Sequence, residues 1–370
     1  MLKKDNFFKN YFINLSKYNK NLKKTKKVFS SFIVDLKNNQ IPLLKSYEKN
    51  YEFDFSATTV KKFSKYRNIV VIGMGGSILG TKSIYSFLKK RIKKEVFFFD
   101  NLDLNLSLKY KKIKNLKNSC FIIVSKSGDT LETITNLGTI FSEKLLKNKL
   151  IIITEITDNA LMAIANKYNA EIIEHKEFIG GRYSVLSETG MFPAALMGLN
   201  LMKFKNLKRL INNKNFISSL IQNVASIHTL NSKKINNSVI LNYDSSLNDL
   251  GYWYQQLVAE SLGKQGKGIN PILSFGPKDH HSLLQLYLDG PKDKFFTFFN
   301  SSQKEDKIKV ARGIIPNNMG FLINKNLEFI INAQCNATKN IFKLKKIPFR
   351  QITFNKKNED ELGEIFTFFV

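Results

Sequence analysis

The sequence predicts an α/β protein made of two tandem, doubly wound parallel-sheet domains with peripheral helices. Short, wholly apolar runs alternate with longer segments of helical periodicity, a pattern typical of strand–helix–strand units. The alternation occurs twice within 370 residues, a length that suits two domains of ordinary size. Turns rich in glycine and hydroxyl side chains follow two of the predicted strands, and open parallel sheets bind ligands at such turns.

The first set of elements covers the domain predicted over residues 50–205, after a helical segment over residues 1–49. Because parallel strands need right-handed crossover connections, we expect helices on both faces of this sheet. The predicted strands are residues 68–73, 95–100, 120–125 and 150–154, and the predicted helices are residues 77–90, 130–147 and 159–168.

The second set repeats this order in the domain predicted over residues 206–370. Its apolar runs are again short enough for strands buried between two layers of helices. The predicted strands are residues 238–243, 272–275, 295–299 and 348–354, and the predicted helices are residues 248–263, 280–288 and 324–344.

Composition excludes several classes of protein. The net charge is +28, from 58 Lys and Arg against 30 Asp and Glu, but the lysines are scattered and form no basic stripe for nucleic acid. No apolar run is long enough to span a membrane, and the basic N-terminus lacks the pattern of an export signal. The distant cysteines Cys120 and Cys335 suit free thiols in a reducing cytoplasm. The four histidines show no metal-ligand spacing, so we expect no metal.

Two donor-rich turns are candidate anion sites. The segment GMGGSILG (residues 73–80) follows the first strand and opens a helix, but it lacks the glycine spacing of a dinucleotide fingerprint. It is not a phosphate-binding P-loop either, because Thr81 precedes Lys82 instead of following a lysine. The segment SKSGDTLETITN (residues 125–136) brings Ser125, Lys126, Ser127 and Thr130 to another helix start. This turn is either a phosphate cradle or a well-capped helix N-terminus, and both readings can hold together.

Two further segments suggest proton-transfer chemistry. The turn FIGGRYSVLSETG (residues 178–190) presents Arg182, a cation that can stabilise a developing enediolate. The run around YWYQQLVAESLGKQGKG (residues 252–268) places Glu260 one helical turn after Gln256, and His281 follows near the next helical run. A carboxylate beside a histidine and basic loops suits proton abstraction from a small phosphorylated substrate.

These segments, in this order, resemble the phosphoglucose isomerase family over about residues 69–291. The resemblance implies two sugar-isomerase-type (SIS-type) domains, a sugar-phosphate substrate, no cofactor, and a homodimer. It implies that Glu260 shuttles a proton between C1 and C2, that Arg182 stabilises the enediolate, and that His281 assists ring opening from the partner subunit. The implied substrate-binding residues are Gly76, Ser77, Ser125, Lys126, Ser127, Thr130, Gly181 and Gln256.

One departure from the family concerns ring opening. The family closes with a helix that carries a catalytic lysine, and no such motif follows Arg350. We therefore expect poor turnover of the cyclic sugar, unless Lys264 or Lys267 fills the role. We also expect an exposed apolar stripe over residues 362–369. A phosphoglucose/phosphomannose isomerase and a non-catalytic sugar-phosphate-binding regulator remain alternative functions.

Overall fold

The computed structural model describes residues 3–6, 8, 15–113, 115–140, 149–302 and 308–370. Two compact units make up the chain. The first unit comprises Ile33–Asn212, Asn248–Glu260 and Asn358–Val370, and the second unit comprises Met1–Phe32, Asn213–Leu247 and Ser261–Lys357. No described helix combines the length and the apolar character that a membrane-spanning segment requires.

Within the described residues, ten strands form two five-stranded sheets, one in each unit. The first sheet has the order β3-β2-β4-β5-β6 and is wholly parallel. Its strands are β2 Asn68–Gly73, β3 Glu95–Phe99, β4 Ser119–Val124, β5 Leu150–Thr154 and β6 Glu171–Glu174. The second sheet has the order β1-β10-β9-β7-β8, with β1 antiparallel to β10. Its strands are β1 Lys3–Asn6, β7 Asn237–Asn242, β8 Asn270–Phe275, β9 Lys294–Ser301 and β10 Phe349–Phe354.

Helices fill most of the remaining described chain. The described α-helices are α1 Leu15–Lys37, α2 Ala57–Ser64, α3 Gly76–Leu88, α4 Leu106–Lys111, α5 Leu131–Ile140, α6 Ala160–Tyr168, α7 Glu188–Leu196, α8 Leu201–Phe204, α9 Leu207–Ile211, α10 Lys214–Asn231, α11 Asn248–Leu262, α12 Leu284–Asp289, α13 Leu327–Leu344 and α14 Glu359–Phe369.

The apolar strand runs become the cores of the two sheets. Every residue of β2, β4 and β5 is buried, as expected for strands covered on both faces. In the second unit, phenylalanines of β9 pack with Phe342 of α13, and the centroids of the Phe296 and Phe342 rings are 4.7 Å apart. The predicted α/β class with two largely parallel sheets is confirmed.

Several individual elements differ from the predictions. The short run EIIE forms β6, and Lys3–Asn6 forms a strand in a segment predicted to be helical. The helix predicted over residues 280–288 begins only at Leu284, because Lys278–His280 forms a 3-10 turn. The end of the helix predicted over residues 130–147 lies outside the described residues.

The prediction of an exposed C-terminal stripe was wrong. Leu362, Ile365 and Phe366 of α14 are fully buried in the first unit. The ring of Phe366 packs against Trp253 with centroids 4.8 Å apart, and Phe369 packs against Tyr254 at 4.7 Å. The stripe is apolar because it packs against α11, which the sequence pattern alone does not reveal.

Candidate active site

A polar cavity of about 820 Å³ lies at the carboxyl edge of the first sheet. This is the edge at which parallel α/β sheets bind ligands. Nine of the eleven predicted site residues line the cavity, and all of them belong to the first unit. They are Gly76, Ser77, Lys126, Ser127, Thr130, Gly181, Arg182, Gln256 and Glu260. The two that do not line it are Ser125 and His281.

The glycine loop after β2 allows three segments to approach closely. Gly75 has a φ of +51°, a conformation that favours glycine. A Cβ placed there would lie 2.6 Å from the side-chain nitrogen Nε2 of Gln256. A Cβ on Gly76 would lie 2.2 Å from the carbonyl oxygen of Gly181. Because Gly75 and Gly76 lack side chains, the glycine loop contacts both α11 and the turn Gly181–Leu186 that carries Arg182, here called the arginine turn.

Helix α11 is held over this loop by contacts near its start. The backbone carbonyl of Asp249 accepts a hydrogen bond from Ser83 Oγ at 2.9 Å. The Asp249 carboxylate lies 3.5 Å from Lys82 Nζ, which also bonds Asp100 at 2.6 Å. These contacts orient α11 so that Gln256 and Glu260, one turn apart, both face the cavity.

The Glu260 carboxylate is held between an amide and a guanidinium. Gln256 Nε2 donates to Glu260 Oε1 at 2.7 Å, and Arg182 Nη1 lies 3.4 Å from Glu260 Oε2. The Glu260 side chain is 49% exposed, so a substrate can reach it. The guanidinium of Arg182 lies over the Tyr183 ring, 4.5 Å from the ring centroid. A carboxylate and a fixed cation at one edge of a cavity suit proton transfer through an enediolate.

The hydroxyl-rich turn after β4 is organised from within by Ser125. This residue is buried, and its Oγ lies 2.7 Å from Thr130 Oγ1 and accepts from the Gly128 amide at 3.2 Å. Gly128 has a φ of +77° and packs against Asn159, which explains the glycine. Ser125 therefore shapes the turn, whereas Ser127 and Thr130 face the cavity.

The ammonium group of Lys126 lies at the same end of the cavity. Its Nζ donates to the Glu177 carbonyl at 2.7 Å and lies 3.4 Å from the Glu155 carboxylate. Its side chain is partly exposed, so an anion in the cavity can compete for it. Hydroxyl groups and one ammonium around an open turn form a set of donors for a phosphate group.

The ends of β5 and β6 form a wall of the cavity that the sequence did not reveal. This wall contributes Glu155, Thr157, Glu174, His175 and Glu177. His175 is buried, and its Nε2 has no hydrogen-bond partner among the described residues. Burial lowers the pKa of this imidazole, and the charge of Lys126 lowers it further. The signal was weak because β6 is only four residues long.

The remaining predicted residues lie in the second unit. His281 is exposed and follows the 3-10 turn Lys278–His280. Lys264 and Lys267 are exposed and close a tight turn through reciprocal backbone hydrogen bonds at 3.1 and 3.0 Å. Within the described ranges, no group of three or more His, Cys, Asp or Glu side chains is arranged to hold a metal ion.

Comparisons with known proteins agree on one family. A family model described as phosphoglucose isomerase matches residues 38–275. The glucose-6-phosphate isomerase of Methanocaldococcus jannaschii is 36% identical over 85% of this chain and 79% of its own length. The glucose-6-phosphate isomerase of Campylobacter jejuni is 32% identical over 74% of this chain and 70% of its own length.

Solved structures share the fold. A hypothetical protein from Thermus thermophilus superposes with a TM-score of 0.79 at 20% identity, covering 100% of this chain and 92% of its own. A glucose-6-phosphate isomerase from Chlamydia trachomatis has a TM-score of 0.67 at 18% identity, covering 85% of this chain and 65% of its own.

Proposed function

The chain belongs to the phosphoglucose isomerase family, and on this premise we propose how its residues interconvert glucose 6-phosphate and fructose 6-phosphate. It is an aldose–ketose isomerase that acts in glycolysis and gluconeogenesis. The observation that carries the proposed site is the Glu260 carboxylate, held at 2.7 Å by Gln256 and 3.4 Å from Arg182 at the edge of a donor-rich cavity.

Glu260 is the proposed base. In the open-chain sugar it takes the proton from C2 of the aldose and returns it to C1, and the reverse reaction uses the same carboxylate. The hydrogen bond from Gln256 keeps one carboxylate oxygen occupied and leaves the other beside Arg182. Orientation by a fixed donor matters because proton transfer requires the base within hydrogen-bond reach of the carbon acid.

Arg182 is the proposed electrostatic partner of the enediolate. A guanidinium remains charged throughout the reaction, so it stabilises the oxyanion without donating its proton. The phosphate group, at the other end of the substrate, binds to Lys126, Ser127 and Thr130, and Ser125 supports Thr130 from below. Gly76, Ser77 and Gly181 contact the sugar. Binding of the remote phosphate fixes the reacting carbons relative to Glu260.

We further propose that the chain acts as a cytoplasmic homodimer in which a second copy supplies His281 for ring opening. The exposed position of His281 and the free, buried state of both cysteines support this proposal. Co-expressed Glu260→Gln and His281→Ala chains test it, because a mixed dimer then contains one site without either substitution. Recovered activity in isolated mixed dimers supports the exchange of His281, and activity no higher than that of the two parents contradicts it.

A coupled assay with fructose 6-phosphate tests the activity directly. The purified chain is mixed with glucose-6-phosphate dehydrogenase, and NADPH formation is followed. We expect saturable turnover that inorganic phosphate inhibits competitively. Phosphate binding without turnover would instead favour the sugar-phosphate-binding regulator, which needs the donors of the cavity but not the pair of Glu260 and Arg182.

A further inference from the structure

A fully buried lysine lies behind the arginine turn and outside the cavity. Lys205, the residue after α8, is 1% exposed. Its Nζ donates to the Ser46 carbonyl at 2.6 Å and to the Leu186 carbonyl at 3.3 Å. It also lies over the rings of Tyr51 and Phe53, 4.5 and 4.3 Å from their centroids. The proposed reaction makes no use of this amine.

The two carbonyl groups belong to two short 3-10 helices. Ser46 lies in Pro42–Tyr47, and Leu186 ends Gly181–Leu186, the turn that carries Arg182. The next residue after Ser46, Tyr47, donates its hydroxyl to the Tyr183 carbonyl at 3.3 Å. The amine of Lys205 and the hydroxyl of Tyr47 therefore hold the arginine turn at two points along one side.

We propose that Lys205 is a positioning residue for the isomerase reaction: its two hydrogen bonds hold the Gly181–Leu186 turn, and with it Arg182, from behind the cavity. This inference rests on the proposed role of Arg182. The amine touches neither the cavity nor the substrate, so its effect on turnover passes through the turn. A shift of the guanidinium by a fraction of an ångström weakens its stabilisation of the enediolate more than it weakens substrate binding.

The charge of Lys205 makes this positioning depend on pH. Burial lowers the pKa of the Lys205 amine to about 7, and the nearby Glu188 carboxylate on α7 opposes this shift. Tyr51, whose ring lies against the amine, also faces it, and burial raises the pKa of its hydroxyl. Burial likewise raises the pKa of Tyr47, the other donor to the turn. The neutral amine has two N–H groups, one for each carbonyl acceptor, so it suits the buried position. The charged ammonium form is stabilised by contact with water, so it favours opening of the turn.

Opening of the arginine turn is linked to proton binding by Lys205. Opening of the turn exposes Lys205 and returns its pKa towards the ordinary value of 10.5, so the open state binds more protons than the closed state above pH 7. Raising the pH therefore favours the closed turn. With these two pKa values, the opening equilibrium falls by about tenfold between pH 6 and pH 8.

Hydrogen exchange on the wild-type protein tests the inference without any need for turnover. After correction for intrinsic rates, the protection of amides in Tyr183–Ser187 should rise about tenfold from pH 6 to pH 8. The amides of β4 serve as the internal reference. Equal protection of the arginine turn at both pH values would overturn the inference. A protein with no isomerase activity would refute the proposed function but leave this measurement intact.

A pair of variants provides the kinetic readout. Lys205→Met keeps the apolar stem and removes both donors, and we expect kcat to fall about tenfold at pH 8 with KM changed less than about twofold. The ratio of wild-type to variant kcat should rise between pH 6 and pH 8. Tyr47→Phe is the matched control. It removes a hydroxyl that donates to the same turn and does not titrate near neutral pH. The ratio of wild-type to Tyr47→Phe kcat should therefore be the same at pH 6 and pH 8. A constant ratio for Lys205→Met, or an unchanged kcat, would contradict the inference.

Discussion

Substitution of Gly76 by alanine should displace the arginine turn from the glycine loop. The new Cβ would lie 2.2 Å from the Gly181 carbonyl oxygen and 2.7 Å from the Arg182 amide nitrogen, and both are backbone atoms that cannot rotate away. Restoring even a 3.0 Å contact requires a shift of about 0.8 Å between the two segments. Because a misplacement of about 1 Å can cost about 10²-fold in rate, we expect kcat to fall by 10- to 100-fold.

The assay is fructose 6-phosphate turnover, with thermal unfolding measured alongside. Overpacking of this kind destabilises a fold by about 1–3 kcal/mol, so the unfolding midpoint should fall by a few degrees. Gly138→Ala is the matched control, since a Cβ there meets no atom within 4 Å and the residue lies in α5, away from the cavity. Gly76→Ala with kcat within threefold of the wild type would refute the close contact of the two turns.

Three further results are expected. Thr130→Ala should raise KM by the equivalent of about 1.5–3 kcal/mol. Ser125→Ala should raise KM by about 0.5–1.5 kcal/mol, because Ser125 supports the turn through Thr130 and the Gly128 amide and does not line the cavity; titration with inorganic phosphate checks both variants. Gln256→Leu should lower kcat about tenfold, because Glu260 loses its 2.7 Å donor, and a change in KM alone would contradict this. Lys205 has a pKa of about 7 in the fold against 10.5 when exposed. The free energy of unfolding of the wild type should therefore rise by about 2–3 kcal/mol from pH 7 to pH 9, relative to that of Lys205→Met. Denaturant titration of both proteins at the two pH values checks this difference.

The strands other than β1 and β6 were the most predictable part of the fold. Runs such as NIVVIG and LIIIT are apolar throughout, since both faces of a central parallel strand are covered, and the predicted bounds of β2 and β5 agree with the structure. Nine of the eleven predicted site residues line one cavity, because the carboxyl ends of parallel strands meet at one edge. The positions of Ser77 and Thr130 directly after predicted parallel strands were therefore enough to predict that they lie in one cavity.

The features that escaped prediction depend on contacts between distant segments. The stripe on α14 has the same pattern whether it is exposed or packed against Trp253, so only the fold reveals that it is covered. The buried role of Ser125 and the burial of Lys205 have the same cause, because a single sequence does not show which polar side chains face inward. His175 was missed because the strand that precedes it, β6, has only four residues.

Deuterium incorporation by the wild-type protein and by Glu260→Gln tests whether Glu260 is the base. In D₂O the wild-type protein should place deuterium at C2 of glucose 6-phosphate formed from fructose 6-phosphate, because the proton on the base exchanges with solvent. Glu260→Gln should lose isomerisation and this labelling by about 10²- to 10⁴-fold while it still binds inorganic phosphate. Glu177→Gln, which changes another carboxylate of the cavity wall, is the control and should keep both isomerisation and deuterium labelling. A Glu260→Gln protein that retains a tenth of the wild-type labelling rate would show that another group takes the proton.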